Sequence, residues 1–375
     1  MGTKLSLPFA RPHLPDFNKM TSRFRDAWQN GAVTKGPFTE QYESAVCAFT
    51  GTKAAVAVSS CTTGLILALQ ALQVEGECLV PAFTFTSTVQ ALLWNRLKPV
   101  FIDCHPRRFT IDLESLNASV TQNTGAVLVP YIFGNPPPFA DLEAFGARKK
   151  LPLILDAAHA FGTLINGKHA GTHGIAEVFS TSATKLLCTG EGGMVTTGNP
   201  KFAETLRALR EYGHGNNYET KAQGMNGRMT EFQSLMGLEG LSLLEDHAKH
   251  RNKLAALYRE ALAGLPVSFQ EIEPGARSSY KDFALLLEPE WPKSRDETAK
   301  ILEEEGIPTR KYFYPPIHRQ PFFAKHAGAL RQLLTTEKIC AQILCLPIFY
   351  DLKESEIEEI GNVFKRIFNE GSRAR

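Results

Sequence analysis

Short apolar runs recur along residues 50–200, and each ends in small or polar residues. The runs are continuous rather than alternating, which is typical of strands buried on both faces. Segments with a helical spacing of apolar residues lie between several of them. Repeated strand–helix units favour a mostly parallel, twisted sheet with helices on both sides. Strands are predicted over residues 54–60, 77–85, 98–103, 125–134, 151–158, 176–181 and 192–198, and helices over 62–72, 86–97 and 140–150.

The pattern changes after Gly198. A helical stretch to about residue 212 precedes a loop rich in Gly and Asn, residues 213–229, and helical periodicity then runs through residues 231–265. The remainder has a mixed pattern, with strands predicted in 279–289 and 340–349 and helices in 296–307 and 354–371. We therefore predict an α/β protein with a large domain over residues 1–245, including an N-terminal arm, and a small C-terminal α/β domain over residues 246–375.

Composition excludes several functional classes. The 375 residues are 43% hydrophobic and 21% charged, as in ordinary globular proteins and unlike disordered chains. The 41 Lys and Arg residues nearly balance the 39 Asp and Glu residues, so the net charge of +2 provides no electrostatic attraction to nucleic acid or an anionic membrane. No stretch approaches 18 uninterrupted apolar residues, so we expect no transmembrane helix.

The cysteines point to a reducing compartment. There are seven, an odd and sparse number, without a Cys-x-x-Cys pair or a metal-like spacing. We therefore predict no disulfide framework and no metal site, with the cytoplasm as the location. The first residues contain three prolines and no apolar core segment, which is unlike a signal peptide.

The first candidate for chemistry is the segment Ser60-Cys61-Thr62, which lies between a predicted strand and a predicted helix. Free backbone N–H groups at a helix N-terminus, together with hydroxyls, form an anion site favoured by the helix dipole. By itself the segment is more typical of a helix cap that binds nothing.

The second candidate is Asp156, at the end of the apolar run 151–155. A carboxylate at the end of a buried strand requires a cation, a metal or a proton, because burying a bare charge is costly. A protonated pyridine nitrogen would serve, and so would an ordinary cap or ion pair. His159 follows three residues later, and alone it is compatible with a hydrogen-bonded interior histidine.

The third candidate is Lys185, which follows Ser180 and precedes a Gly-rich loop. A lysine held in a cleft can have a depressed pKa and form a Schiff base, although a lone loop lysine is usually a surface residue. The combination is more informative than any member. An anion pocket, a strand-end Asp and a loop Lys match the phosphate, ring nitrogen and aldehyde of pyridoxal 5′-phosphate (PLP).

These motifs and several others resemble the DegT/DnrJ/EryC1/StrS family of sugar aminotransferases over nearly the whole chain. The resemblance implies the aspartate-aminotransferase-like PLP fold type I, with a mostly parallel sheet between helices and a smaller C-terminal α/β domain. The segments that carry it are NGAVTKGPFTEQYESAVCAFTGTKAAVAVSS, VPAFTFTSTVQALLWNRLKPVFIDCHP, DAAHAFG, STSATKLLCTGEGGMVTT, GMNGRMTEFQS, GIPTRKYFYPPIH and LCLPIF.

The resemblance implies roles for individual residues toward PLP. Lys185 would form the Schiff base and move the proton, and Asp156 would keep the pyridine nitrogen protonated. Phe85 would stack on the ring, with His159 close to it. The phosphate would be held by Ser60, Cys61, Thr62 and Ser180.

Further residues would act on the partner or the substrate. Asn226 is similar to the residue that reaches the phosphate of the neighbouring subunit, so the resemblance implies a homodimer with shared active sites. Arg228 would grip the carboxylate of the amino donor, since its fork geometry suits that group. Tyr314 and His318 are substrate candidates in the segment 310–320, with Tyr312 beside them, and ordinary loop packing is an equal reading.

Two positions depart from the family pattern. Cys61 and Thr62 stand where the family often has Gly-Thr, which is tolerable where backbone amides bind the phosphate. Ser182 stands where a His or Tyr is common, which removes a ring from the site. We expect Cys61 to be a packed small residue rather than a nucleophile.

The sequence thus predicts a PLP-dependent aminotransferase. It would move an amino group, most plausibly from L-glutamate, to a nucleotide-linked 4-keto- or 3-keto-6-deoxyhexose by ping-pong kinetics. By family analogy the product would feed surface polysaccharide such as lipopolysaccharide O-antigen, or a glycosylated natural product.

Three alternative functions fit the sequence less well. A deoxysugar dehydratase of the same fold has a His in place of the Schiff-base lysine, and Lys185 opposes it. A non-catalytic ligand-binding member would have lost Lys185 or Asp156, and both are present. A nicotinamide-dependent oxidoreductase lacks its G-x-G-x-x-G segment after the first predicted strand.

Overall fold

The computed structural model describes residues 5–215, 218–326 and 332–373. Its strands, in chain order, are β1 (Ala54–Val58), β2 (Glu77–Pro81), β3 (Lys98–Ile102), β4 (Thr124–Pro130), β5 (Leu153–Asp156), β6 (Leu164–Ile165), β7 (Lys168–His169), β8 (Ala176–Ser180), β9 (Gly193–Thr197), β10 (Val267–Phe269), β11 (Ala276–Arg277), β12 (Phe283–Leu287) and β13 (Ile343–Leu346).

Thirteen α-helices and one 3-10 turn, Ile317–Arg319, accompany these strands in the described residues. The helices are α1 (Phe17–Gln29), α2 (Pro37–Thr50), α3 (Cys61–Leu72), α4 (Thr86–Trp94), α5 (Leu113–Ser119), α6 (Phe139–Lys149), α7 (Pro200–Arg210), α8 (Glu231–Leu241), α9 (Leu244–Ala261), α10 (Arg295–Glu304), α11 (Pro321–Ala324), α12 (Leu334–Gln342) and α13 (Glu354–Arg373). No helix among the described residues is both long and apolar enough to cross a membrane.

Seven strands form the central sheet in the order β1-β9-β8-β5-β4-β2-β3. The pairs within β8-β5-β4-β2-β3 are all parallel, whereas β9 runs antiparallel to both of its neighbours. Every strand predicted in the first 200 residues is present, and the mostly parallel sheet is confirmed. The reversal of β9 was not predicted, because the apolar pattern of a doubly buried strand carries no information about its direction.

Both faces of this sheet are buried. Along β1, Val56 and Val58 pack into one core while Ala55 and Ala57 pack into the other, because successive side chains point to opposite faces. Helices α3, α4 and α7 cover the first face, and α2 and α6 cover the second. This double burial explains why the strands are apolar throughout rather than alternating.

Helix α3 lies unusually close to the sheet. A Cβ added at Gly64 would lie 2.6 Å from Cγ1 of Val178, and one at Gly193 would lie 2.7 Å from the amide nitrogen of Cys61. Both positions therefore require glycine for steric reasons. Their effect is to hold the first turn of α3 against the ends of β8 and β9.

A second, three-stranded antiparallel sheet, in the order β10-β12-β13, forms with α10 and α13 a smaller core. Helix α9 contributes to two cores, with Leu244 and Ala248 in one core of the central sheet and Leu254 and Tyr258 in the smaller core. The predicted division at residue 245 falls at the start of this helix, and we retain it as a proposal.

The helical periodicity over residues 231–265 predicts one continuous helix, and the structure contains two helices. Thr230 and Gln233 form a capping box that starts α8, whereas α8 ends at Leu241 and α9 begins at Leu244. The amide of Leu243 donates a hydrogen bond to the carbonyl of Gly240. This tight turn interrupts the helical series of backbone hydrogen bonds. The apolar spacing continues through the turn, so periodicity alone does not mark the break.

Candidate active site

A cavity of about 390 Å³ lies at the carboxyl ends of five strands of the central sheet. Its walls include residues at the ends of β1, β2, β4, β5 and β8, where open α/β sheets place their ligands. The opposite wall contains Lys281, Asp282, Tyr312 and Phe313 from the C-terminal part of the chain. The volume is within the range of about 300–1,000 Å³ that is usual for small-molecule sites.

Eight predicted site residues line this one cavity: Ser60, Cys61, Thr62, Phe85, Asp156, His159, Ser180 and Lys185. They come from four separated segments of the chain, so only the sheet topology brings them together. Their convergence is a finding of the structure, while the role of each toward a cofactor remains a prediction.

One end of the cavity is the N-terminus of α3. Ser60 caps the helix by accepting a 3.0 Å hydrogen bond from the amide of Thr63. The amides of Cys61 and Thr62 have no acceptor within the helix, because first-turn N–H groups lack one by geometry. With the hydroxyls of Thr62 and Ser180, which also line the cavity, they form a site suited to a phosphate.

Asp156, at the end of β5, is buried on the floor of the cavity. Its carboxylate accepts hydrogen bonds from the hydroxyl of Thr88 at 2.6 Å and the amide of Ala158 at 3.1 Å, and the thiol of Cys61 lies 3.8 Å away. Burial raises the pKa of Asp156, and these donors together with Lys185 oppose the rise. A cationic N–H group in the cavity would favour the ionised carboxylate further.

Lys185 lies in the loop between β8 and β9, where its amide donates a 2.9 Å hydrogen bond to the carbonyl of Ser182. Burial, and next the nearby ammonium of Lys281, lower the pKa of Lys185 to about 8. Near neutral pH an appreciable fraction of this amine is therefore neutral and nucleophilic. Ser182, which stands where the family commonly has a His or Tyr, lines the same cavity.

His159 and Phe85 lie on the side of the cavity that faces Phe133 and Phe313. Nδ1 of His159 accepts a 3.2 Å hydrogen bond from the amide of Phe133. Burial and the two cavity lysines hold the pKa of His159 well below its usual range, so the ring is neutral with its proton on Nε2. Phe85 is half exposed at the cavity, 6.2 Å between ring centres from Phe313.

Four predicted residues lie outside the cavity of their own chain. Arg228 donates to Glu211 at 3.0 Å and stacks on Tyr212, and Asn226 pairs with Glu211 through the backbone. His318 is buried beside Glu337, and Tyr314 lies under the guanidinium of Arg295. None of these contacts tests a role in a partner's cavity or toward a substrate, so these assignments stay predictions.

The cavity also contains residues that were not predicted from the sequence. Thr88 is one helical turn beyond Thr84, and their hydroxyls are 2.8 Å apart below Asp156. Lys281 and Asp282 are two opposite charges directly before the apolar strand β12. Two opposite charges beside an apolar strand could have indicated a site at this position, because charged side chains that are buried require partners.

The donor set fits PLP in each of its parts. Amides and hydroxyls at the start of α3 suit the phosphate, the buried carboxylate of Asp156 suits a protonated ring nitrogen, and Lys185 is an amine with a lowered pKa. No group of three or more His, Cys, Asp or Glu residues in the described part of the chain is arranged for a metal ion.

Comparison with known proteins shows which family this chain resembles over nearly its whole length. The model of the DegT/DnrJ/EryC1/StrS aminotransferase family matches residues 16–365. The dTDP-4-amino-4,6-dideoxy-D-glucose transaminase of Escherichia coli is 30% identical over 361 residues, which cover 95% of this chain and 97% of that protein. The UDP-N-acetyl-3-dehydro-alpha-D-glucosamine 3-aminotransferase of Acidithiobacillus ferrooxidans is 31% identical over 327 residues, covering 86% and 87%.

Solved structures of sugar aminotransferases have the same fold as this chain. The crystal structure of DesI in the presence of its TDP-sugar product superposes with a TM-score of 0.92 at 29% identity, covering all of this chain and 95% of DesI. The predicted fold class is thereby confirmed.

Proposed function

The chain belongs to the DegT/DnrJ/EryC1/StrS aminotransferase family, and on this premise we propose that it aminates a nucleotide-linked keto sugar. The amino donor is an amino acid, L-glutamate in our proposal, and the acceptor is a 4-keto- or 3-keto-6-deoxyhexose. The amino group and the carbonyl oxygen exchange places, so a 2-oxo acid and an amino sugar leave without any external oxidant or reductant. The product would serve surface polysaccharide, such as lipopolysaccharide O-antigen, or a glycosylated natural product.

The observation that carries this proposal is the convergence of Lys185, Asp156 and the start of α3 on one cavity. The aminotransferases of this family are PLP-dependent, and the residues present fit PLP. When bound, PLP supplies an aldehyde for amine exchange and a ring that withdraws electrons from the carbon that loses its proton.

The residues of the chain divide the remaining work. Asp156 would hold the proton of the ring nitrogen, and Thr88 would keep its carboxylate in place. Nζ of Lys185 would act first as the general base that takes the proton from the α-carbon of the amino donor. The same atom would then act as the general acid that gives this proton up later in the exchange. The aromatic side chains of Phe85 and Phe313 would exclude water from this region.

We also propose a homodimer in which Asn226 acts in the partner's cavity. Its position outside the cavity of its own chain supports this arrangement. The aminotransferase activities of the Escherichia coli and Acidithiobacillus ferrooxidans relatives support a nucleotide-sugar substrate.

The test uses the full chain loaded with PLP. Glutamate should abolish the visible absorption band, a nucleotide-linked keto sugar should restore it, and mass spectrometry should detect the amino sugar. Borohydride should leave a pyridoxyl group on Lys185, and Lys185→Ala should prevent the labelling and the turnover. A wild-type protein with no visible band after PLP addition would contradict the assignment, and loss of a sugar hydroxyl without amination would identify the dehydratase instead.

A further inference from the structure

Lys281 and Asp282 form a buried ion pair in the wall of the cavity that contains Lys185. Nζ of Lys281 donates to the two carboxylate oxygens of Asp282 at 2.9 and 3.0 Å, and both side chains are at most 5% exposed. Burying such a pair gives little net stability compared with apolar packing. Its presence at a ligand cavity is therefore better explained by recognition than by stability.

The backbone around Lys281 is fixed on two sides. Its amide donates a 3.0 Å hydrogen bond to the carbonyl of Phe133, and its own carbonyl accepts a 2.9 Å bond from the buried guanidinium of Arg251. The ammonium lies 5.4 Å from the centre of the Tyr312 ring, another residue of the cavity wall. The cation is therefore held in place before any ligand enters.

We propose that Lys281 binds the carboxylate of the amino donor and that Asp282 orients its ammonium group. This inference rests on the proposed function. In an amino acid the carboxylate is attached to the carbon that carries the amine, so it must bind close to Lys185. A nucleotide diphosphate is separated from the keto carbon by part of the sugar ring, so its charge lies farther from the reacting atoms.

The cavity composition favours Lys281 for this task. Among the described residues of this chain that line it, Lys185 and Lys281 are the lysines, and no arginine lines it. Arg228, which the sequence predicted for the donor carboxylate, is instead paired with Glu211 at 3.0 Å outside this cavity. Lys185 is already assigned to the exchange of the amino group. An ammonium has three donor hydrogens, so the two bonds to Asp282 leave one hydrogen of Lys281 for a ligand carboxylate.

The experiment measures donor binding and each half-reaction separately in the PLP-loaded protein. The variants are Lys281→Gln and the double variant Lys281→Gln/Asp282→Asn, which removes the pair without leaving a buried charge. Lys253→Gln is the control, since Lys253 forms an exposed ion pair with Glu354 outside the cavity. Calorimetry with α-methyl-L-glutamate, which has no α-hydrogen, reports donor binding without turnover, and thermal unfolding reports stability.

We expect Lys281→Gln to weaken binding of α-methyl-L-glutamate about tenfold or more, the loss typical of a hydrogen bond to a charged group. The half-reaction with the keto sugar should change by less than about threefold, a difference below that of one hydrogen bond. The double variant should recover the melting temperature of the wild type and not its donor affinity. Lys253→Gln should bind the donor like the wild type.

Two results would overturn the inference while leaving the proposed function intact. One is recovery of donor affinity in the double variant, which would show that the pair is structural. The other is a loss confined to the keto-sugar half-reaction, which would assign Lys281 to the sugar's phosphates. A wild-type protein that consumes no amino donor would overturn the proposed function, and this inference with it.

Discussion

The hydroxyl of Thr88 donates a 2.6 Å hydrogen bond to Oδ2 of Asp156, and both side chains are buried. The bond joins the first turn of α4 to the end of β5 across the floor of the cavity. It lowers the pKa of Asp156, against the effect of burial. The ionised carboxylate that a protonated ring nitrogen would require therefore depends on a residue that was not predicted to belong to the site.

Replacing Thr88 by Val, which has the same shape and no hydroxyl, should weaken PLP binding. A hydrogen bond to a charged group contributes about 1.5–3 kcal/mol, so the dissociation constant should rise about 10- to 150-fold. Titration of the apoprotein with PLP, followed by absorbance, measures it. Thr88→Ser retains the hydroxyl and should bind within about threefold of the wild type, a difference smaller than one hydrogen bond. Equal binding by Thr88→Val would show that Asp156 does not need this donor.

The rate at which the apoprotein captures PLP should depend on pH through Lys185. Its pKa is lowered to about 8, so below that pH the amine is protonated and cannot attack the aldehyde. The rate should rise about tenfold for each pH unit below 8 and level off above it. Borohydride trapping followed by peptide mass spectrometry measures the labelling of Lys185.

The matched control is Nα-acetyl-lysine, whose free ε-amine has an ordinary pKa of about 10.4. Its rate of reaction with PLP should keep rising past pH 8. A rate on Lys185 that also rises up to pH 10 would contradict the lowered pKa.

Cys61 should be dispensable as a side chain. It lines the cavity, and its thiol lies 3.4 Å from the carbonyl oxygen of Val178. Burial raises the pKa of this thiol, and the carboxylate of Asp156 adds to the rise. Cys61→Ala should therefore bind PLP within about threefold of the wild type, since only a weak sulfur contact is lost. Iodoacetamide at pH 8 should not label Cys61 in the native protein, because alkylation requires a thiolate.

The half-buried Cys47 serves as the internal comparison, and Cys61 should become reactive when the protein is unfolded. A large loss of PLP affinity in Cys61→Ala would assign a binding role to the sulfur.

Mixing two inactive variants should restore activity if the sites are shared. In a dimer of Lys185→Ala with Asn226→Asp, one cavity combines an intact Lys185 with an intact Asn226 from the partner. Random re-assortment of a symmetric dimer should yield about one quarter of wild-type activity. Assays before and after dissociation and reassociation measure it, with each variant alone as the control. No recovery, with heterodimers verified by mass spectrometry, would mean that Asn226 acts in its own chain.

Local sequence accounts for much of the fold and for the main site residues. The apolar runs predicted the seven strands of the central sheet, because a strand buried on both faces must be apolar throughout. Lys185, Asp156 and the Ser60–Thr62 turn could be named because each ends or follows such a strand. Helices α1, α2, α5, α11 and α12 were not predicted, and the pattern did not locate the break between α8 and α9.

The amino-acid sequence was enough to name the candidate residues for the chemistry, since the type and order of Lys, Asp and capping residues are local properties. Tertiary structure alone decided which of them meet. The crossovers of the sheet brought four segments to one edge, supplied Thr88 below Asp156, and placed Lys281 and Asp282 from a distant segment opposite Lys185. It also set the pKa of Lys185, because desolvation depends on everything that surrounds the amine and not on its neighbours in the chain.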